Sequence, residues 1–370
     1  MSPSVDLATL PVLDVAGRLR RLRAEMEVAS LGALLVTKLD NVRYLTGFTG
    51  SAGMLLVTST TALLTTDGRY RDQAAEQISA AGAEVDLEIG GMERQLEAIV
   101  AAAKGLFQLG LEAASCTWAQ QRRFASLLES TLVPTVGVVE QLRIVKGEGE
   151  LARIERACEL ADVALAQVKG RLADAPSESE FAAELEFEMR RRGASGPAFE
   201  TIVASGPNSA MPHARPTERT VAEGDLVVVD FGAVVDGYRS DMTRTFAVGA
   251  LGPGMQELLD AVFASQRAGV HAIAGGVTGD AVDGACRTSL TEAGFGDAFL
   301  HSTGHGVGLE IHEAPAVARG TADILPVGAV VTVEPGAYLA GRGGVRIEDT
   351  VVVTESGCRP LTKSTKDYVL

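Results

Sequence analysis

The 370-residue chain lacks most of the features that mark membrane, secreted or nucleic-acid-binding proteins. No apolar run approaches the ~20 residues that span a bilayer, so no membrane partner is expected. No basic stretch followed by an apolar one opens the chain as a signal peptide would, and a cytoplasmic location is the expectation. Cysteine is scarce. Cys116, Cys158, Cys286 and Cys358 lie far apart, without the paired spacing of a thiolate metal site. They read as free thiols in a reducing compartment. Positive charge is short as well, with 33 Lys and Arg against 48 Asp and Glu and a net charge of −15. That balance excludes a sequence-independent hold on nucleic acid, which depends on neutralising phosphates. The one basic cluster, RLRRLR at 18–23, interleaves with Val15, Leu19, Leu22 and Met26 at helical spacing. It reads as a solvated helix face. Repeats and low-complexity segments are also missing.

What the chain does have is enough apolar content, 46% hydrophobic residues, for an ordinary globular protein of about two domains. Residues 1–142 alternate in character as an α/β domain does. The runs GALLVT, GMLLVT and TALLTT predict strands, the last ending on Asp67-Gly68, and helices are predicted over 70–80, 93–103 and 117–129. A joint falls at Lys146-Gly147-Glu148-Gly149. Beyond it, Leu151, Ile154, Cys158 and Ala161 mark one amphipathic helix, and Ser177 to Glu180 carries a capping-box signature for the next. Long β runs then alternate with helices near 254–274 and 278–293. Residues 147–370 are therefore expected to form an α+β domain. All five histidines fall in it, and the chemistry is expected there too.

The stretch VVVDFGAVVDGYRSDMTRTF, residues 227–246, reads as a β-hairpin turning at Asp236-Gly237. A two-residue turn there makes opposed residue numbers sum to 473 and sets Asp230 across from Thr243. Asp241, two residues from Thr243, then shares a face with Asp230, their Cα atoms roughly 7–8 Å apart. Two carboxylates so placed repel unless a cation lies between them. The plain alternative has both facing solvent, or Asp241 paired with Arg239 or Arg244.

Three other stretches bear on that choice. HSTGHGVGLEIHEAP, residues 301–315, puts His301, His305 and His312 in one glycine-rich segment, as a site for a metal or substrate would. VVTVEPGAY ends a strand-like run on Glu334, and GGVRIEDTVVV reads as a strand with Arg346 and Glu348 on one face. Such an Arg–Glu pair is commonly a surface ion pair, but beside a β-rich core the arginine can orient a ligand carboxylate. Asp230, Asp241, Glu334 and Glu348 bring four negative charges against the four positive ones of two divalent ions, and His305 adds a neutral ligand. Hard oxygens with one imidazole and no thiolate favour Mn(II), Co(II) or Zn(II). Two such ions activate water, and hydrolysis of an amide or ester is the natural reaction class.

Taken together, these motifs resemble the pita-bread metallopeptidases, on the branch that holds prolidase and aminopeptidase P. The resemblance covers nearly the whole chain, with NVRYLTGFTGSAG and LLTTDGRYRDQA similar to that branch's N-terminal domain. It implies an α/β N-terminal domain and an α+β pita-bread (creatinase/aminopeptidase-like) catalytic domain. It also implies a dinuclear centre in which Asp241 and Glu348 bridge the metals. Asp230 completes one shell; His305 and Glu334 complete the other. Glu334 acts as general base, and His312 steadies the tetrahedral intermediate. His213 and His301 line the proline pocket and help with proton movement, while Arg346 and Tyr338 stand just behind the ligands. The substrates implied are small peptides with proline in second position, and the assembly implied is a homodimer or larger homo-oligomer. In one place the sequence departs from the family. Ala316 stands where some prolidases carry an arginine for the dipeptide's carboxylate, and Arg319 is displaced. If the chain prefers dipeptides, another cation must meet that carboxylate, and Arg43 and Arg69 of the N-terminal domain are candidates, against the plain reading of an ion pair within that domain.

Three functions are compatible with this reading. An Xaa-Pro peptidase comes first, leaning to dipeptides and otherwise acting on longer chains. A methionine aminopeptidase would lack the N-terminal domain. A metal-free binding module would have lost ligands, and none of the five is missing.

Overall fold

A computed structural model describes residues 5–369 and divides the chain into two compact units. One is Leu13–Arg143. The other runs from Ile144 onward and takes in the first described residues up to Val12. That last assignment was not anticipated from the sequence. Its cause is local: Arg153 Nη1 donates to the Pro11 carbonyl at 2.9 Å, and Val5 and Leu10 pack on the C-terminal unit's core.

The N-terminal unit is one mixed sheet of six strands with six helices. In chain order these are α1 (Arg18–Val28), β1 (Ala33–Val36), α2 (Leu39–Thr46), β2 (Met54–Thr58), β3 (Ala62–Thr66), α3 (Arg71–Ala81), β4 (Asp86–Ile89), α4 (Met92–Ala102), β5 (Gln108–Glu112), α5 (Trp118–Leu127), β6 (Thr131–Thr135) and α6 (Glu140–Arg143). The strand order is β4-β3-β2-β1-β5-β6, antiparallel where β1 meets β2 and β2 meets β3 and parallel elsewhere. Helix α1 buries Leu19, Leu22 and Met26 as its spacing requires. The solvated-face reading of its basic cluster fails at Arg18. That guanidinium is buried 4.0 Å over the Tyr44 ring and donates to the Tyr44 carbonyl at 2.7 Å.

In the C-terminal unit two helix pairs each cover a sheet. Helices α7 (Glu148–Val168) and α8 (Glu178–Arg191) pack on β7 (Ile202–Ser205), β8 (Leu226–Phe231) and β11 (Met242–Ala247), around Leu165, Phe181, Leu185 and Phe231. Between β8 and β11 lies a small ribbon, β9 (Val234–Val235) and β10 (Tyr238–Arg239). Helices α9 (Met255–Ala272) and α10 (Gly279–Glu292) pack on β12 (Gly304–Gly306), β13 (Glu313–Val317), β14 (Val330–Val333), β17 (Asp349–Thr354) and β18 (Gly357–Pro360). A second ribbon pairs β15 (Gly336–Leu339) with β16 (Gly343–Arg346). The Ser177–Glu180 capping box opens α8 with both of its arms, at 3.1 and 2.8 Å. No helix among the described residues is long and apolar enough to cross a membrane.

The hairpin turns at Asp236 and Gly237, both with positive φ (45° and 75°), as a two-residue turn of this type demands. Val235 faces Tyr238 and Asp230 faces Thr243. Pairing is interrupted at 232–233 and 240–241. There a Cβ on residue 232 would stand 1.9 Å from the Ser240 carbonyl oxygen, so glycine alone fits. One expectation needs correction: Arg346 and Glu348 do not share a strand. Strand β16 ends at Arg346 and β17 begins at Asp349. Glu348 lies between them because its N–H donates to the Thr243 carbonyl at 3.1 Å and its own carbonyl accepts from Arg244.

Candidate metal centre and active site

Strand ends deliver the acidic side chains to one place. Asp230 comes from β8, Asp241 from the residue before β11, and Glu348 from the residue before β17. One side-chain oxygen of each lies within 4.8 Å of the other two. Asp241 and Glu348 are buried. Glu334, just past β14, and His305, at the centre of β12, stand alongside, with His305 Nε2 3.1 Å from Glu334 Oε1 and 3.6 Å from Asp241 Oδ2. The chain can cross so close at β12 because residue 304 is glycine, where a Cβ would meet the Thr332 carbonyl at 2.1 Å.

Four carboxylates gathered out of water need a compensating charge, and the protein supplies only part of it. Arg346 is buried and donates from Nη2 to Asp230 Oδ2 at 2.5 Å. Asp230 Oδ1 and Glu348 Oε1 are buried with no hydrogen-bond partner. Burial, and next the neighbouring carboxylates, push the carboxyls of Asp241 and Glu348 well above their ordinary range. Burial also raises Asp230, against the opposing pull of Arg346. Glu334 goes the other way. Burial would raise it, but the hydrogen bond and charge of His305 prevail and hold it at about 2. Burial lowers the His305 pKa, and the Glu334 hydrogen bond and charge more than reverse that. Orphaned acceptor oxygens, mutual repulsion and an imidazole facing two carboxylates are what a divalent-cation site made of hard ligands presents.

Around this cluster lies a pocket of about 570 Å3 lined by Asp230, Asp241, His305, Glu334 and Arg346, with His213, His301 and His312. The His305 and His312 ring centroids are 4.2 Å apart, edge to face. Burial keeps His301 and His312 below the ordinary histidine range. His301 Nε2 lies 2.9 Å from the Tyr338 hydroxyl, which accepts from Arg346 Nη1 at 2.9 Å. Arg346 thus links His301, through Tyr338, to Asp230. Phe199, Ile202, Ile311 and Ala318 give the pocket apolar walls.

Ala316 lines the pocket, whereas Arg319 is exposed and absent from the lining. Arg43 is half-buried on α2 of the N-terminal unit, and Arg69 is paired with Asp67 of the same unit at 2.8 and 2.9 Å. Sequence reasoning missed Thr243, Thr332 and Arg215. Thr243 Oγ1 donates to Glu348 Oε2 at 2.8 Å and accepts from Arg346 Nε at 3.2 Å. Thr332 Oγ1 donates to Glu334 Oε1 at 3.0 Å and accepts from the His305 N–H at 3.1 Å. Thr243 was legible as the residue opposite Asp230, but its two partners lie more than 100 positions away. Arg215 lines the pocket two residues after His213.

Residues 152–355 match metallopeptidase family M24. The chain belongs to that family. Residues 18–145 match the creatinase/prolidase N-terminal domain. The M24 chain is 40% identical to the uncharacterized peptidase YqhT of Bacillus subtilis over 95% of its own length and 99% of that protein. Among solved structures, an Xaa-Pro dipeptidase from Bacillus anthracis superposes with a TM-score of 0.91 at 39% identity, covering 96% of this chain and 100% of that one. An X-Pro aminopeptidase from Thermotoga maritima gives 0.85 at 35% identity, with 95% and 99% covered. The M24 chain is thus an enzyme, a metallopeptidase working with divalent metal ions, and its C-terminal unit has the pita-bread fold.

Proposed function

We propose that this M24 enzyme hydrolyses the bond between a first residue and a following proline, with dipeptides preferred, and that two Mn(II) ions serve it. The observation that carries the reading is the cluster of Asp230, Asp241 and Glu348 with its two orphaned oxygens; Asp230 and Asp241 line a pocket that four histidines also line. Relatives that act on Xaa-Pro peptides support the substrate class. Asp230, Asp241, His305, Glu334 and Glu348 would hold the ions. Bound there, two divalent ions supply a nucleophile from water at neutral pH and polarise the scissile carbonyl.

The chain's own residues do the rest. Glu334 takes a proton from the attacking water and returns it to the proline nitrogen as the C–N bond breaks. A carboxylate held at about 2 is a weak base, but loss of the His305 proton removes the hydrogen bond and charge that hold it there. His312 donates a hydrogen bond to the oxygen that becomes negative in the tetrahedral intermediate. His213 and His301 bound the proline ring, and Tyr338 and Arg346 fix His301 and Asp230 in place. Co(II) or Zn(II) would suit the same ligands.

A second reading, an aminopeptidase P acting on longer peptides, is favoured by the likeness to the Thermotoga structure. Turnover of Ala-Pro against Ala-Pro-Ala separates the two. Faster release from Ala-Pro is expected, and faster cleavage of Ala-Pro-Ala would make the chain an aminopeptidase P. Arg43 is proposed from the sequence as a partner for the dipeptide's carboxylate. Equal losses of dipeptide and tripeptide turnover on its replacement by Ala would leave the carboxylate to the arginines of the pocket itself. A homodimer or larger homo-oligomer and a cytoplasmic location complete the proposal, to be checked by sedimentation and by fractionation.

A further inference from the structure

We propose that Arg215 receives the free carboxylate of a dipeptide substrate, with Glu200 holding its guanidinium until that carboxylate arrives. The inference rests on the Xaa-Pro reading and names what selects the substrate's length. A dipeptide ending in proline carries its carboxylate on the same residue as the scissile nitrogen. That anion must therefore enter a pocket already lined by Asp230, Asp241, Glu334 and Glu200. It needs a cation.

Two arginines, Arg215 and Arg346, and no lysine line the pocket among the described residues. Arg346 is committed. It is buried, and its N–H groups donate to Asp230, Tyr338, Thr243 and the Pro212 carbonyl. Arg215 differs. Its side chain is 77% exposed, and Nη1 meets Glu200 Oε1 at 2.5 Å, with the glutamate 58% exposed. A pair this open to water is weak, and an incoming carboxylate can replace one partner. The guanidinium fork suits a carboxylate bidentately. Arg215 also stands two residues beyond His213, which lines the same pocket. A longer peptide brings no carboxylate to this position, and the Arg215–Glu200 pair stays closed. Glu200 thus competes with the dipeptide for Arg215.

The test compares Ala-Pro with Ala-Pro-amide, which differ only in the charge at issue, on Mn(II)-loaded enzyme. Arg215→Ala should raise KM for Ala-Pro about tenfold, as loss of a charged hydrogen bond does, with KM for the amide and kcat for both nearly unchanged. Arg215→Lys should recover part of the loss, and Glu200→Gln should lower KM for Ala-Pro alone. Equal changes on both substrates, or loss of dipeptide preference in Arg43→Ala but not in Arg215→Ala, would overturn the assignment. Wild-type protein that cleaves neither substrate would instead remove the Xaa-Pro reading itself.

Discussion

Under the proposed function Glu334 has two tasks, holding a cation and moving a proton, and its neighbours bear on both. Thr332 fixes one oxygen at 3.0 Å while His305 approaches that same oxygen at 3.1 Å. Glu334→Gln keeps an oxygen for the metal and removes the base. It is expected to lower kcat by about 10²–10⁴-fold, a typical general-base contribution, with metal still bound. Rate and metal content measured on the same preparation check this, and an unchanged kcat would take the proton from Glu334. Thr243 acts through others. Its hydroxyl donates to Glu348 and accepts from Arg346, so Thr243→Val leaves both groups unsupported at nearly constant volume. Metal affinity should fall about 10–100-fold, as with other groups that orient ligands, while kcat at saturating metal survives. Titration of stripped variant with Mn(II) decides it. Neither Thr243 nor Arg215 was legible as functional, because single side chains reveal their partners only when distant segments meet. Arg18 failed for the same reason: an arginine in a basic helical cluster looks solvated until Tyr44 covers it.

At the scale of elements, the hairpin shows what sequence can and cannot state. Asp-Gly between alternating β-branched runs fixes a two-residue turn, and the register then follows by counting. Asp230 does face Thr243. The interruption at Gly232 was not legible, because it depends on how closely the Ser240 carbonyl passes. Gly232→Ala must push that carbonyl away and move Asp241, which is the next residue. Mn(II) affinity is expected to fall more than about tenfold, the range seen when ligand supports are lost. Gly237→Ala strains a φ of 75° but touches no ligand, so it should cost about 1–2 kcal/mol of stability and leave affinity alone. Denaturant melts and metal titrations of both variants check the contrast; equal loss of affinity would contradict it. The passage between β16 and β17 misled for a related reason. Its residues alternate like one strand, yet a backbone bond to Thr243 and the Arg244 guanidinium on its own carbonyl draw Glu348 out of line.

For the whole molecule, the acidic cluster makes stability depend on both pH and metal. A carboxyl whose pKa rises on folding supports the fold below its ordinary range, and that support is lost as pH rises through the raised value. Asp241 and Glu348 are of this kind. Glu334, held at about 2, is the reverse: its contribution is present above its ordinary value and lost only as pH falls towards about 2. The gain in Tm on adding Mn(II) to stripped protein should therefore grow from about pH 5 to about pH 7.5, and a gain independent of pH would contradict this. The measurement that tests the central claim most directly follows proline release from Ala-Pro by chelator-stripped enzyme, before and after Mn(II) is restored. Release that is absent without metal and returns with it is the predicted result. Undiminished release from fully stripped protein, or none from protein with both ions bound, would contradict the account.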